Sequence, residues 1–472
     1  MSNIKLRGIF AAVTGVLALG AVAPALADNN DDIIYTLMAK GVLTEEEGHQ
    51  LLNGRDKERE TQKKATKSAG KITIADAIDN ATIYGDIRVR AEHRDGEDKA
   101  AGSDNSEDRD RGRYKITFGV KTKADDFYTD LAFAMGSKGR SDNATFGKSN
   151  GGNDKEALFV KRAMVGWKVA DWMTIEAGRT SNPLYTTPMV WDHDLTFEGL
   201  NEQLKFKAGD ADVFLTFMQS QYLGDHKNYS PDGYLYDGKN RNDSPNNFLL
   251  AFQGGAKFKI TDAVSAKAAL TYTTYTHDKV GGGVFTPAAG DATTSAGANV
   301  VAINDLRTIE VPLELNIKGS GTLSYKVFGD YVHNLDGNDR ADAACAAATG
   351  ANKTAVCAAG HDDNAWMLGV GLKSAQGKHA QKGDWEAKLW YQDVGMYSVD
   401  PNGVDSDFMD SRVNMKGVVL KGGYNLRDNV VVNFAAGHAN RKDDKLSAAG
   451  TGDIDANLDK LNLYQLDLTY KF

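Results

Sequence analysis

The feature that most limits the fold is a rhythm in how short alternating segments are joined. From Ala81 onward, sixteen segments read at period two: 81–92, 112–123, 127–136, 158–169, 173–180, 197–208, 211–222, 247–260, 264–276, 307–318, 321–333, 364–374, 384–394, 411–424, 429–440 and 461–472. Successive side chains of a strand point to opposite faces, so each segment has one apolar wall and one wet wall. Tyr114, Ile116, Phe118 and Val120 alternate with Arg113, Lys115, Thr117 and Gly119. Tyr464, Leu466, Leu468, Tyr470 and Phe472 alternate with Gln465, Asp467, Thr469 and Lys471. The connections are short (KADD, VADW, AGDAD, ITDAVS, KGSG, NLRDN, with Ser374 to Gly383 a slightly longer exception) and long by turns, the long ones near 93–111, 137–157, 181–196, 223–246, 277–306, 334–363, 395–410 and 441–460. One end of the molecule is then all tight turns and the other all long polar loops. Outer-membrane barrels have this arrangement, whereas a soluble sandwich has no reason to segregate its loops.

The expected fold is therefore all-β, a 16-stranded antiparallel transmembrane β-barrel over residues 81–472. Two segments fit less well. Met415 to Tyr424 can be phased either way, and Pro312 sits inside TIEVPLEL, where a ladder donor is expected.

Ahead of the barrel, Lys5 and Arg7 precede an uncharged run from Gly8 to Ala23, and Ala25-Leu26-Ala27 supplies a small-x-small cleavage site. Residues 1–27 read as a secretory signal peptide. Residues 28–80 differ in kind from the barrel segments. Ile33, Ile34, Leu37, Met38, Leu51 and Leu52 recur at helical spacing, Gly41 breaks the run, and RDKERETQKKATKS comes next, nearly devoid of apolar residues. A short helical periplasmic segment and solvated linker are expected there, acting as a spacer or as an oligomerising or wall-binding element.

No later stretch is long and apolar enough to cross a bilayer as a helix, whereas a barrel hides its apolar residues at alternate positions. Losing Lys5 and Arg7 with the signal takes the formal charge from −9 to −11. Such an acidic exported chain is a poor candidate for nucleic-acid binding. Its two cysteines, Cys345 and Cys357, stand twelve positions apart and are expected to close a disulfide within one loop. His361 alone adds too little for a zinc site.

Ile83 to Arg90 (IYGDIRVR) resembles the first barrel strand of the bacterial outer-membrane porin families akin to general and phosphate-selective porins. MAKGVLTEEEG near the start, Trp191 to Leu195 with Glu198-Gly199-Leu200, and the terminal Tyr470-Lys471-Phe472 are similar to that group as well. The resemblance implies passive diffusion of small hydrophilic solutes or ions across the outer membrane. It also implies a homotrimer, and handling of the C-terminal aromatic strand by the barrel-assembly machinery. No cofactor is implied.

Sixteen strands leave an aqueous channel, and residues opposite the apolar ones line it. Arg88, Arg90, Arg113, Lys115, Arg162, Lys205, Lys257, Lys267, Lys326, Lys388 and Lys416 fall on the wet face, against Asp86, Asp130, Glu176, Glu310, Glu314, Asp330, Glu386 and Asp467. The wall leans basic, which favours anions unless the charges pair across the lumen. General porins fold their third loop inward, so the resemblance points to Ser181–Thr196 as a constriction. Arg179 at its base is expected to face Asp192 or Asp194 and set up a transverse field. Trp167, Tyr272, Tyr470 and Phe472 face outward as an interfacial girdle.

Enzymatic signals are missing: there is no GxSxG, HExxH or GxxxxGK[ST]. The acid-rich LDGNDRAD and HDDN loops do not match calcium-loop spacing. Two rival readings remain, a structural or adhesive surface barrel with a plugged lumen and a soluble secreted all-β binding protein.

Overall fold

A computed structural model of the 472-residue chain describes residues 78–98, 107–136, 141–147, 155–223, 247–278, 284–287, 301–377, 379–450 and 458–472. The signal segment 1–27 and residues 28–77 of the helical segment lie outside the described residues. Two compact units divide the chain, one of residues 84–120 and 126–472 and the other of residues up to 83 with 121–125. In the smaller unit, Asp79 N–H donates to Lys123 C=O at 2.9 Å and Asp125 N–H to Asp79 Oδ2 at 2.9 Å.

Sixteen antiparallel strands make the barrel. They are β1 (Asn80–Asp98), β2 (Glu107–Ala124), β3 (Phe127–Met135), β4 (Leu158–Ala170), β5 (Met173–Ser181), β6 (Thr196–Ala208), β7 (Ala211–Leu223) and β8 (Asn247–Lys259). They continue as β9 (Val264–Tyr275), β10 (Thr308–Glu310 with Leu313–Lys318), β11 (Leu323–Asn334), β12 (Asn364–Ser374), β13 (Trp385–Val394), β14 (Met415–Arg427), β15 (Val430–Arg441) and β16 (Leu458–Lys471). A two-residue strand, Ala144–Thr145, adds to β2 through Arg113 and Tyr114. Each strand pairs with its sequence neighbours, and β1 pairs with β16 from Asp86↔Lys471 to Asp98↔Leu458, so the sheet closes without an edge. Gly85 and Phe472 exchange two backbone hydrogen bonds of 3.0 Å. A side chain at Gly85 would run into the backbone carbonyl oxygen of Thr117, and beyond it the Phe472 ring at 2.6 Å, which is why the strand needs glycine there.

The break in β10 falls at Val311-Pro312, where the sequence predicts one strand. Proline has no N–H to give the ladder. The chain bridges the gap with Val311 N–H donating to Tyr331 C=O at 2.8 Å and Pro312 C=O accepting from Ala269 N–H at 3.1 Å.

Outward side chains form an apolar belt that includes Val89, Phe118, Leu131, Val165, Phe252, Leu270, Leu368 and Phe434, all exposed. Trp167, Tyr272, Tyr470 and Phe472 are exposed on the same face. Inside, the long-loop end is filled. The segments 182–195 and 395–414, with α1 (Gly337–Ala347) and α2 (Gly350–Ala358), supply Met189, Trp191, Ala344, Tyr397, Phe408 and Met409 to a core that also takes Met218, Leu249, Met367 and Met415 from the inner wall. That core reverses one sequence expectation. Met415 and Val419 are buried inward while Val418 and Leu420 are exposed, so Lys416 points outward and Lys421 takes the lumen side. Cys345 and Cys357 are bonded between α1 and α2, with Cα atoms 4.7 Å apart.

Candidate functional site

A cavity of about 550 Å3 lies in the lumen between two unlike walls, with Tyr185, Thr186, Thr187, Pro188 and His193 of the inward-folded segment lining it. The basic wall is built on β1, β2 and β16. Even-numbered side chains of β1 point inward, so Arg88, Arg90, Glu92 and Arg94 form one column. β1 has 19 residues, well beyond the roughly 9–11 that span a bilayer, which carries the column past the belt toward the long loops.

Each arginine of this column meets a carboxylate. Arg90 Nε and Nη2 donate to Asp467 Oδ1 and Oδ2 at 2.7 and 3.0 Å, and its Nη1 to both oxygens of Asp407 at 3.1 Å. Two-point contacts of this kind match the planar guanidinium to the carboxylate. Arg94 Nη1 donates to Asp410 Oδ1 at 2.9 Å, and Arg88 Nη1 lies 3.5 Å from Asp467. Glu92, fully buried, accepts from Arg111 Nε at 2.5 Å and lies 3.6 Å from Arg113 Nη1. Arg113 also donates to Ser141 Oγ at 3.0 Å.

Asp407, in the loop 395–414, is pressed upward by its burial, yet Arg90 and Arg94 overcome this and hold it well below the usual carboxylate range. Its neighbour Asp405 goes the other way. Burial pushes Asp405 up to about 7, and Lys421, 3.8 Å off, only partly opposes this.

The acidic wall is on β10 and β11. Glu314 there pairs with Lys326 at 2.8 Å, but among the described residues no cation pairs with Glu310 or Asp330. Glu310 and Asp330 are 1 % and 3 % exposed and lie within hydrogen-bond reach of each other. Their partners are hydroxyls of the inserted segment: Thr186 Oγ1 donates to Glu310 Oε1 and Thr187 Oγ1 to Asp330 Oδ2, both at 2.5 Å. Further contacts hold the same segment. Tyr185 N–H donates to Gln253 Oε1 at 2.8 Å, Gln253 Nε2 returns a bond to Tyr185 C=O at 2.8 Å, and Lys267 Nζ sits 3.6 Å over the Tyr185 ring.

The predicted site residues do not form one cluster. Arg88, Arg90 and Arg113 come together in the basic wall. Lys115 lies nearby, 3.4 Å from Asp142 and 3.8 Å from Asp194, while Arg162 bonds Asp130 at 2.9 Å and Tyr84 at 2.5 Å. A bulge opposite Ala132–Phe133 sets both Lys161 and Arg162 toward the lumen, and Lys161 also approaches Asp194 at 3.8 Å. Asp192 is spent on anchoring. It is buried, and it accepts from Ser406 N–H at 3.0 Å and Asp194 N–H at 2.9 Å, which ties the segment 182–195 to the loop 395–414. Burial raises its pKa, with Asp194 adding to the effect, and burial lowers that of His193.

Arg179 does not face Asp192 or Asp194. Thr180 is its inward neighbour, so Arg179 turns outward and donates to Glu198 Oε1 at 2.5 Å. Sequence reading also missed Glu92, Arg94, Asp407 and Asp410. For the first two a signal existed, since the alternation in RVRAEHR runs on past residue 90. For the loop acids there was none, because loops carry no period.

Residues 86–300 match the model of a family described as "Putative porin". Among solved structures, OmpF of Salmonella typhi in complex with daunomycin is 13 % identical, the match covering 84 % of this chain and 99 % of that one with a TM-score of 0.44. No curated protein matches. The family match over residues 86–300 agrees with the resemblance to porins read from the sequence.

Proposed function

We propose, taking the porin match over residues 86–300 as premise, that this chain is an outer-membrane channel through which small hydrophilic solutes and ions diffuse passively. The observation that carries the reading is the constriction. A closed 16-stranded wall, apolar outside, surrounds a charged cavity narrowed by an inserted loop. Catalysis has no part in it.

Selectivity arises from the charges that line the cavity. Arg88, Arg90, Lys326, Lys388 and Lys421 line the cavity against Glu314, Glu386, Asp407 and Asp467, a near balance that supports a weak anion preference. The solute passes Arg88 and Arg90 of the arginine column and the Glu314–Lys326 pair, which line the cavity, whereas Glu310 and Asp330 are buried against the inserted segment. Assembly as a homotrimer, which the family resemblance implies, belongs to the same reading. Liposome swelling tests it: vesicles holding the folded protein should swell in small neutral sugars and progressively less as the sugar grows. Swelling no faster than in empty vesicles would refute the channel.

A further inference from the structure

The inner wall over β11 to β14 carries a pattern that the passage of small neutral solutes does not need. Strand register sets its inward residues in two rows. Phe328, Gly369 and Trp390 are partners across β11, β12 and β13. Two residues along each strand toward the short turns, Lys326, Gly371, Lys388 and Lys421 are partners across β11 to β14. Two residues of antiparallel strand separate the rows by about 7 Å.

Glycine on β12 brings each row together. A Cβ at Gly369 would lie 2.5 Å from the Phe328 ring and 2.6 Å from Trp390 Cβ, and one at Gly371 would lie 3.5 Å from both Lys326 Cβ and Lys388 Cγ. The half-buried Phe328 ring thus leans over β12 to meet buried Trp390 edge-on, with centroids 6.3 Å apart. Both aromatics and all three lysines line the cavity, and Lys421 Nζ lies 5.6 Å from the centre of the Trp390 ring. The side chains of Lys326, Lys388 and Lys421 are 35 %, 41 % and 34 % exposed, against 5 % for Arg90, so the lysines are the cations a solute can reach. Their carboxylates are Glu314 at 2.8 Å, Glu386 at 3.3 Å and Asp405 at 3.8 Å. The last two pairs are loose, and such partly solvated pairs give way to a competing anion at little cost.

We infer that this stretch of wall is a subsite for aromatic carboxylates, the ring resting on Phe328 beside Trp390 and the carboxylate taken by Lys388 and Lys421. The two rows decide the class. Ammonium groups on flexible stems meet a carboxylate as point charges, and a planar ring covers the apolar surface of Phe328. Phosphate would leave the aromatic row unused, and the arginine fork that suits it best is already held by Asp467 and Asp407. A neutral sugar would leave the lysines unused. A cavity of about 550 Å3 is of the size that holds small-molecule ligands. The inference rests on the porin reading and deepens it by naming the class of solute that the channel holds in passage.

Benzoate added to the full chain in planar bilayers tests it, beside acetate for charge without a ring, benzamide for a ring without charge, and inorganic phosphate. Benzoate should halve the chloride current at a concentration roughly tenfold below that needed of the other three. Acetate or phosphate matching benzoate would mean that charge alone is read, and benzamide matching it that the ring alone is read; either result overturns the inference. Lys388→Gln should raise the half-blocking benzoate concentration about fivefold. Phe328→Leu should raise it about threefold and leave that of acetate in place. Heat-modifiable gel migration checks that both variants are folded, and benzoate block unchanged in either folded variant would overturn the inference. Isothermal titration of the detergent-folded wild-type chain with benzoate keeps the two readings apart. Ion-sized steps without saturable benzoate heat sink the subsite alone, and saturable heat in a chain that conducts no ions sinks the channel reading alone.

Discussion

The two walls of the cavity solve the problem of inward charge in opposite ways. On β1, β2 and β16, guanidinium and carboxylate groups alternate, so that Arg90 is gripped by Asp467 and Asp407 and Glu92 by Arg111. On β10 and β11, beside the Glu314–Lys326 pair, Glu310 and Asp330 lie together with no cation among the described residues, and hydroxyls of an inserted loop cover them. The first wall spends its charge on itself and stays beside open space. The second spends it on holding a loop, which makes the carboxyls part of the constriction's frame. Charge on a pore wall can therefore set selectivity or set shape, and the partner chemistry shows which.

Removing the centre of the basic wall should have the largest effect. Arg90→Ala leaves Asp467 and Asp407 without their main partner, and breaking a buried ion pair costs about 3–5 kcal/mol. Thermal unfolding in detergent should move down, and reversal potentials in a salt gradient should shift toward cations. Selectivity unchanged from wild type would mean that Asp407 and Asp467 do not face the permeation path.

Next in size is the other wall. Thr186→Val with Thr187→Val removes both hydroxyl donors and keeps side-chain shape, stranding Glu310 and Asp330 at about 1–3 kcal/mol each. Conductance should rise and its open-channel noise should increase as the loop loosens, with cation preference changed less than in Arg90→Ala. Equal selectivity shifts in the two variants would abolish the contrast between the walls.

A smaller effect is expected from pH. Asp405, pushed up to about 7, is protonated at pH 5 and ionised at pH 8. Because folding raises it above the ordinary value of about 3.9, its stabilising contribution is complete at low pH and fades as pH climbs through about 4 to 7. Ionisation adds one negative charge near Lys421, so anion preference should fall modestly from pH 5 to pH 8 in wild type and stay flat in Asp405→Asn. The smallest effect belongs to Asp194→Asn, since Lys115 and Lys161 are each 3.8 Å away and Asp142 remains to pair with them; single-channel current should change by less than about a factor of two, as suits a partly solvated pair.

Much of the wall was legible because the period of two is imposed by strand geometry, and the lipid and water faces reinforce it. Sixteen strands and the inward placement of Arg88, Arg90 and Arg113 followed from that pattern. The phase of β14 did not, because the assumption that apolar means outward fails where loops fill the lumen. Met415 and Val419 share the buried core with Phe408 and Met409, which come from a segment no period describes. Arg179 is a related case: one residue of phase decides between the lumen and the outer face, and Thr180 takes the inward position beside the loop. Asp407 and Asp410, which complete the basic wall, come from the loop 395–414, whose path depends on contacts distant in sequence.

Single-channel recording in planar bilayers tests the central claim most directly. Folded protein should insert in discrete conductance steps, with a reversal potential in a potassium chloride gradient that indicates weak anion preference and moves toward cations in Arg90→Ala. Folded, heat-modifiable protein that inserts without any ion-sized step would contradict the account.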